Sequence, residues 1–285
     1  MAGNSARRRP PASRPGAGRA RRRGNRSDLR ARLIVALPAI AVVVILIDIG
    51  GLLFTLAMIV LGCLCLDELY RLLERAHAVK LAGYLGVAAL LLSAYYGSQF
   101  QILLASVALV PVIFGLTVAA PRGGVPGIAV TMLGVYWIGF ALAHAVLLRG
   151  LPHGEGIVID VLVGTFVGDT GAYLGGRMFG RRPLAPRISP NKTLEGLAIG
   201  MLTCIASVWF ASLYQDWFHK GDALLLGLAV AIVAPIGDLF ESYIKRESGA
   251  KDTGTLFGAH GGALDRVDAV LFSAVAGYYV WQAMV

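Results

Sequence analysis

The sequence predicts an all-α fold, a polytopic transmembrane helical bundle of about nine spans behind a disordered, arginine-rich tail. Three observations predict it. Of 285 residues, 56% are hydrophobic and only 15% charged, against roughly 45–50% and about 25% in soluble domains; the mean hydropathy is +0.69. Apolar runs of roughly 20 residues, enough to cross a hydrocarbon core about 30 Å thick, recur along almost the whole chain after Arg32. Charge is also segregated. Residues 1–32 hold eleven arginines against one acid, Asp28, so this tail is +10 and the rest of the chain −1 of the formal +9.

Residues 1–32 combine those arginines with Pro, Gly and Ser and almost no large apolar side chains. Such a segment cannot bury enough surface to fold alone. A basic arm ahead of a first span reads as a topology determinant that touches anionic lipid, not as a nucleic-acid arm. It lacks the apolar core and small-residue cleavage site of a removable signal. Residues 33–125 follow as N-terminal transmembrane helices, with expected spans at about 33–48, 50–66, 81–97 and 100–120, the first two joined tightly through 48–51. Residues 126–285 form the expected catalytic transmembrane domain, with spans at about 126–148, 157–176, 194–214, 222–240 and 268–284. No internal repeat is visible, which argues against a secondary transporter of doubled architecture. Cys63, Cys65 and Cys204 lie inside apolar runs at no metal-site spacing and read as packing residues.

Lys and Arg set the orientation. With the tail cytoplasmic, segments 67–80, 121–125, 177–193 and 241–267 face the same side and carry 13 of the 15 basic residues beyond the tail, as the positive-inside rule requires. The two longest of these, 177–193 and 241–267, also hold the unusual polar motifs. Nucleoside triphosphates are found on that side of the membrane.

The 237–268 stretch mixes cations, acids and glycines. Lys245, Arg246, Lys251 and Arg266 offer donors to phosphate oxygens. Asp238, Asp252, Asp265 and Asp268 offer hard oxygen ligands suited to Mg²⁺. Gly261 and Gly262, in a turn over 258–262 that also holds His260, let backbone N–H groups approach an anion. Asp265 and Asp268 share a face if the last helix starts there. Asp238 and Glu241 close an apolar span, where an unpaired carboxylate costs several kcal/mol, so partners or a metal are expected. A single charge here could simply be solvated; the ensemble is poorly explained that way.

A second constellation precedes it. Gly168-Asp169-Thr170-Gly171-Ala172-Tyr173 places Asp169 deep in an apolar segment, where ionisable groups are functional by default. Ser189-Pro190-Asn191-Lys192-Thr193-Leu194-Glu195-Gly196 follows. Ser189 reads as a helix N-cap with Pro190 in the first turn, which would aim free N–H groups at an anion beside Lys192.

Taken in order, the Ser-x-x-Lys-Arg, Lys-Asp, His-Gly-Gly and Asp-Arg-x-Asp elements of 242–268 resemble the hallmark of the CDP-diacylglycerol synthases, or phosphatidate cytidylyltransferases. The 168–173 and 189–196 elements resemble that family's other motifs, and the likeness is strong over about 130–285. Ala263, Gly258, Asn191 and Leu194 depart from the usual residues, but none removes a carboxylate or a phosphate-binding cation.

The resemblance implies a helical, dimeric inner-membrane nucleotidyltransferase of phospholipid synthesis that joins CTP to phosphatidate, with Mg²⁺ and room for a paired monovalent cation such as K⁺. Asp238, Asp252, Lys251 and His260 are then the expected catalytic set. Lys192, Ser189, Lys245, Arg246, Arg266, Gly261 and Gly262 would bind substrate, and Asp169, Asp238, Asp252 and Asp265 would hold metal. His260 could bind phosphate, polarise the leaving group or merely fix its turn. Phosphatidate is already anionic, so the chemistry needs charge compensation and positioning more than a strong base. The rival reading, a CTP-dependent polyprenol or phytol kinase, would need a base to activate a neutral hydroxyl, and none is obvious.

Overall fold

The computed structural model describes residues 38–122, 124–250, 253–254 and 261–285. Lys251, Asp252 and His260 therefore lie outside the described residues, as does the 1–32 tail. The chain divides into two units, residues 1–45 and 46–285. In the first, residues 38–45 are helical and exposed; the second carries every element from Gly51 onward.

Helices dominate throughout. After α1 (Pro38–Ile49) come α2 (Gly51–Leu72), α3 (Lys80–Tyr96), α4 (Gln99–Ala119), α5 (Val125–Gly134) and α6 (Phe140–Gly150), then α7 (Gly154–Phe179), α8 (Leu194–Ala211), α9 (Lys220–Glu247) and α10 (Leu264–Gln282). A π turn at Val135–Gly139 joins α5 and α6 into one continuous rod. Six helical segments are long and apolar enough to cross a membrane: Gly51–Leu72, Gln99–Ala119, Val125–Gly150, Gly154–Phe179, Leu194–Tyr214 and Lys220–Glu247. α1 and α3 are apolar but shorter. Among the described residues each expected span thus coincides with a helix, while a count of nine crossings goes beyond what these lengths and compositions establish.

Local sequence sets the ends. Ser98 caps α4 by accepting the Phe100 N–H, and Gln101 accepts the Ser98 N–H in return at 2.8 Å. Thr193 caps α8 through the Gly196 N–H at 3.1 Å. Outward faces are apolar: on α4, Leu103, Leu104, Val107, Phe114 and Val118 are all exposed, a surface suited to lipid and costly in water. The buried core runs through Leu66, Leu69, Val87, Leu90, Ile138 and Leu142 in the first half and Ile157, Val208, Leu226 and Leu271 in the second.

Between α7 and α8 lies a two-stranded antiparallel hairpin, β1 (Pro183–Ala185) and β2 (Ser189–Thr193), pairing Pro183 with Thr193 and Ala185 with Ser189. This small hairpin sits in a mostly helical fold and corrects one expectation: Ser189 begins a strand and is not a helix N-cap. Prolines at 183, 186 and 190 remove N–H donors too often for a helix. The Ile188 N–H donates to Ala185 O and the Leu194 N–H to Arg182 O, at 3.1 and 2.9 Å, so the backbone is committed to the hairpin and helix begins only after Thr193. The polar segments are also shorter than expected, because α2 runs helical to Leu72 and α9 to Glu247.

α7 packs most extensively on α8, through small residues that let the backbones approach. At Gly200 a Cβ would lie 2.7 Å from Ala172 Cβ and 2.9 Å from Gly168 O. Gly200→Val is expected to lower the melting temperature by roughly 2–10 °C, the effect of about 1–3 kcal/mol of overpacking. A thermal-shift measurement on detergent-purified protein checks this; an unchanged midpoint would mean the seam is loose.

Candidate active site

Asp169 comes from the C-terminal half of α7, Lys192 from β2, and Asp238 from α9. All three line one cavity of about 540 Å³ among α7, α8 and α9, with Arg177 and Asn191 also in its polar lining and Gly164, Met201, Cys204 and Ala234 in its apolar part. That volume falls in the range of about 300–1,000 Å³ typical of small-molecule sites. Lys192 Nζ forms an ion pair with Asp238 Oδ2, and Ser242 Oγ donates to Asp238 Oδ1 at 3.4 Å. Asp169 and Asp238 interact electrostatically, and Asp268 on α10 feels both. Pro235, one turn before Asp238, withholds the N–H that would bond Ala231 O, and both residues line the cavity.

α9 reaches α10 beside this site at Gly237, where a Cβ would lie 2.6 Å from Asp268 O. Only a residue without a side chain lets the two helices carry Asp238 and Asp268 so close together.

A second charged group sits at the junction of α2, α9 and α10. Lys245 pairs with Glu241 and, at 2.9 Å, with Asp265 Oδ1. Asp265 also accepts the Gly262 N–H at 2.7 Å and the Thr253 N–H at 3.1 Å. Every one of these donors favours the ionised carboxylate. Gly261 holds φ +81°, and a Cβ there would lie 2.5 Å from Asp265 Oδ2, so conformation and space both require glycine. Glu241 is buried, and its Oε1 has no hydrogen-bond partner.

The structure therefore brings Asp169, Lys192 and Asp238 to one cavity, and Lys245, Asp265 and Gly262 to an adjoining network. Arg246 lies at the protein surface, its Nε donating to Ile188 O at 3.1 Å and tying the hairpin to α9. Ser189 starts β2 outside the cavity lining, and Arg266 occupies the first turn of α10. The sequence reading missed Glu68, buried at the end of α2, whose carboxylate accepts from Thr253, Ala263 and Leu264. The signal existed: an acid inside the apolar run Cys65-Leu66-Asp67-Glu68-Leu69, the same kind of signal as Asp169. Ending that span at 66 hid it.

Among the described residues no three His, Cys, Asp or Glu side chains form a ready-made metal cage. Mg²⁺ does not need one, since it takes one or two carboxylates and completes its shell with waters and substrate phosphates. The oxygen-only donors Asp169 and Asp238 fit that requirement.

Apolar helices that carry a cluster of acids and cations between them define the class, a multi-pass membrane protein. The chain belongs to the cytidylyltransferase family, whose sequence profile matches residues 30–284. It is similar to phosphatidate cytidylyltransferase from Helicobacter pylori, 43% identical over 124 residues that cover 43% of this chain and 46% of the other. Chloroplastic phosphatidate cytidylyltransferase 4 from Arabidopsis thaliana is 39% identical over 144 residues, covering 49% and 37%. The uncharacterized protein YnbB from Escherichia coli is 39% identical over 167 residues, covering 55% and 56%. The matched region thus spans about half the length of these curated relatives.

Proposed function

We propose that this protein transfers the cytidylyl group of CTP to phosphatidate, forming CDP-diacylglycerol and pyrophosphate for phospholipid synthesis. Family membership and the relatives' names support the reaction. The observation that carries it on this chain is the Lys192–Asp238 pair beside Asp169 in a cavity with one apolar and one charged portion. Such a site suits a substrate with acyl chains and a phosphate head group.

In the proposed reaction a phosphatidate oxygen forms a bond to the α-phosphorus of CTP while the bond to the β-phosphate bridging oxygen breaks. Pyrophosphate takes the electron pair. Mg²⁺, when bound, would screen the phosphate charge and orient the triphosphate. Asp169 and Asp238 would hold it, with Asp252 proposed from its motif position and Asp268 added by its nearness to both. Asp265, also expected as a ligand, has its oxygens engaged by Lys245, Gly262 and Thr253 and fits a positioning role better. A K⁺ beside the divalent ion is compatible with the excess of carboxylates. Lys192 would bind phosphate directly; Arg246, Arg266, Lys251 and the 261–262 backbone would add positive potential. Ser189 and His260 remain proposed contacts from sequence. We further propose a homodimer in the inner membrane with about nine crossings, the N-terminus and the 177–193 and 241–267 segments cytoplasmic, and no nucleic-acid partner.

Purified protein in detergent with phosphatidate, Mg²⁺ and labelled CTP tests this. Label is expected to enter the organic phase with one pyrophosphate released per lipid. Transfer of phosphate from CTP to a lipid alcohol, leaving CDP, would replace the reading with a kinase.

A further inference from the structure

α2 contributes a single buried carboxylate to the segment that carries most of the polar motif. Glu68 is 7% exposed. Its Oε1 accepts the Ala263 N–H at 2.9 Å, and its Oε2 accepts the Leu264 N–H at 2.9 Å and the Thr253 hydroxyl at 3.3 Å. The two N–H groups open α10, where helix geometry provides no internal acceptor, and a negative charge there also complements the helix dipole. Thr253 lies on the other flank of residues 255–260. One side chain therefore ties both flanks of that stretch to the N-terminal half of the bundle.

A second carboxylate repeats the tie. Asp265 accepts the Gly262 and Thr253 N–H groups and is joined through Lys245 to α9. Space around Glu68 is as restricted as its bonding: a Cβ at Gly254 would lie 2.7 Å from Oε1, and one at Gly262 would lie 2.5 Å from Cδ. Burying a carboxylate is costly unless it is fully bonded. Here the bonds are made to backbone whose placement fixes the first two turns of α10, which bear Asp265, Arg266 and Asp268.

We propose that Glu68 is a positioning residue for cytidylyl transfer, holding the flanks of the 253–264 segment so that the first turns of α10 keep a fixed relation to Asp238 on α9. This rests on the functional reading above. Glu68 acts through the backbone and through Thr253, not by touching substrate.

Glu68→Gln keeps the size but turns an NH₂ group toward N–H donors. With the full chain in nanodiscs, kcat is expected to fall about 10- to 100-fold, as when an outer-shell partner is lost. KM for CTP should change by less than about threefold, and amide exchange at Ala263 and Leu264 should rise at least about tenfold, with exchange in α7 and α8 unchanged. Gly254→Ala, which displaces the same carboxylate, should likewise lower kcat and raise exchange at Ala263 and Leu264 with little change in KM, and carries the test if Glu68→Gln does not accumulate. Unaltered exchange, or kcat per folded protein within twofold of the parent in both variants, would overturn the proposal. A parent protein that exchanges normally but makes no CDP-lipid would instead overturn the functional reading, and exchange at Ala263 and Leu264 would still decide whether Glu68 holds the segment.

Discussion

Asp238→Asn is expected to cut cytidylyl transfer roughly 100- to 1000-fold, the range seen when a preorganised charge is removed from a reacting site, while folded protein persists. Size is retained and charge is lost. The side chains of Lys192 and Asp238 are 27% and 31% exposed, and a pair this open to solvent contributes little to stability. The loss should therefore appear in turnover and not in the melting temperature. Two routes could produce it: loss of a metal carboxylate, or release of Lys192 from its anchored position. A double-mutant cycle with Lys192→Met separates them. If Asp238 acts only through Lys192, the double variant will be no slower than the slower single one; if it also binds metal, the Asp238→Asn defect will persist in the Lys192→Met background. Turnover within threefold of the parent would remove Asp238 from the site.

Much of this architecture was legible because lipid makes a strong demand on sequence. A backbone crossing hydrocarbon must satisfy its own hydrogen bonds, so apolar runs such as 100–120 and 194–214 can hardly be anything but helix. Asp169 and Asp238 were legible for the complementary reason, since acids in such runs need partners. What the sequence did not disclose is where polarity ends and helix continues. Asp67 through Leu72 and Glu241 through Glu247 look like solvated loop, yet both are helical, with Glu68 bonded to the Ala263 and Leu264 N–H groups and Lys245 to Asp265, partners from other parts of the chain. Those partners are separated by up to 196 positions, and no local pattern encodes such a pairing. The hairpin at 183–193 was missed differently. Ser189-Pro190 satisfies the rules for a helix start, but strand pairing with 183–185 competes for the same backbone and wins.

Stripping divalent cations with a chelator is expected to abolish transfer entirely, and Mg²⁺ to restore it. The case is electrostatic. Asp169, Asp238 and Asp268 from three helices interact electrostatically, with Lys192 paired to Asp238, while Lys245 is engaged by Glu241 and Asp265. Two polyanionic substrates must then approach each other in the same place. Like unit charges 4 Å apart repel by about 4 kcal/mol at an effective dielectric near 20, so each uncompensated contact of this kind would slow the reaction by roughly 10³-fold. Lys192 and Lys245, each held by acid partners of its own, cannot absorb all of that charge. Asp238→Asn should also raise the Mg²⁺ concentration needed for half-maximal rate by about tenfold or more, and should weaken the rise in melting temperature that Mg²⁺ gives the substrate-free protein. A chelated enzyme that kept a tenth of its rate would show that the fixed cations suffice, and the carboxylates of α7 and α9 would then need a different role, such as orienting Lys192.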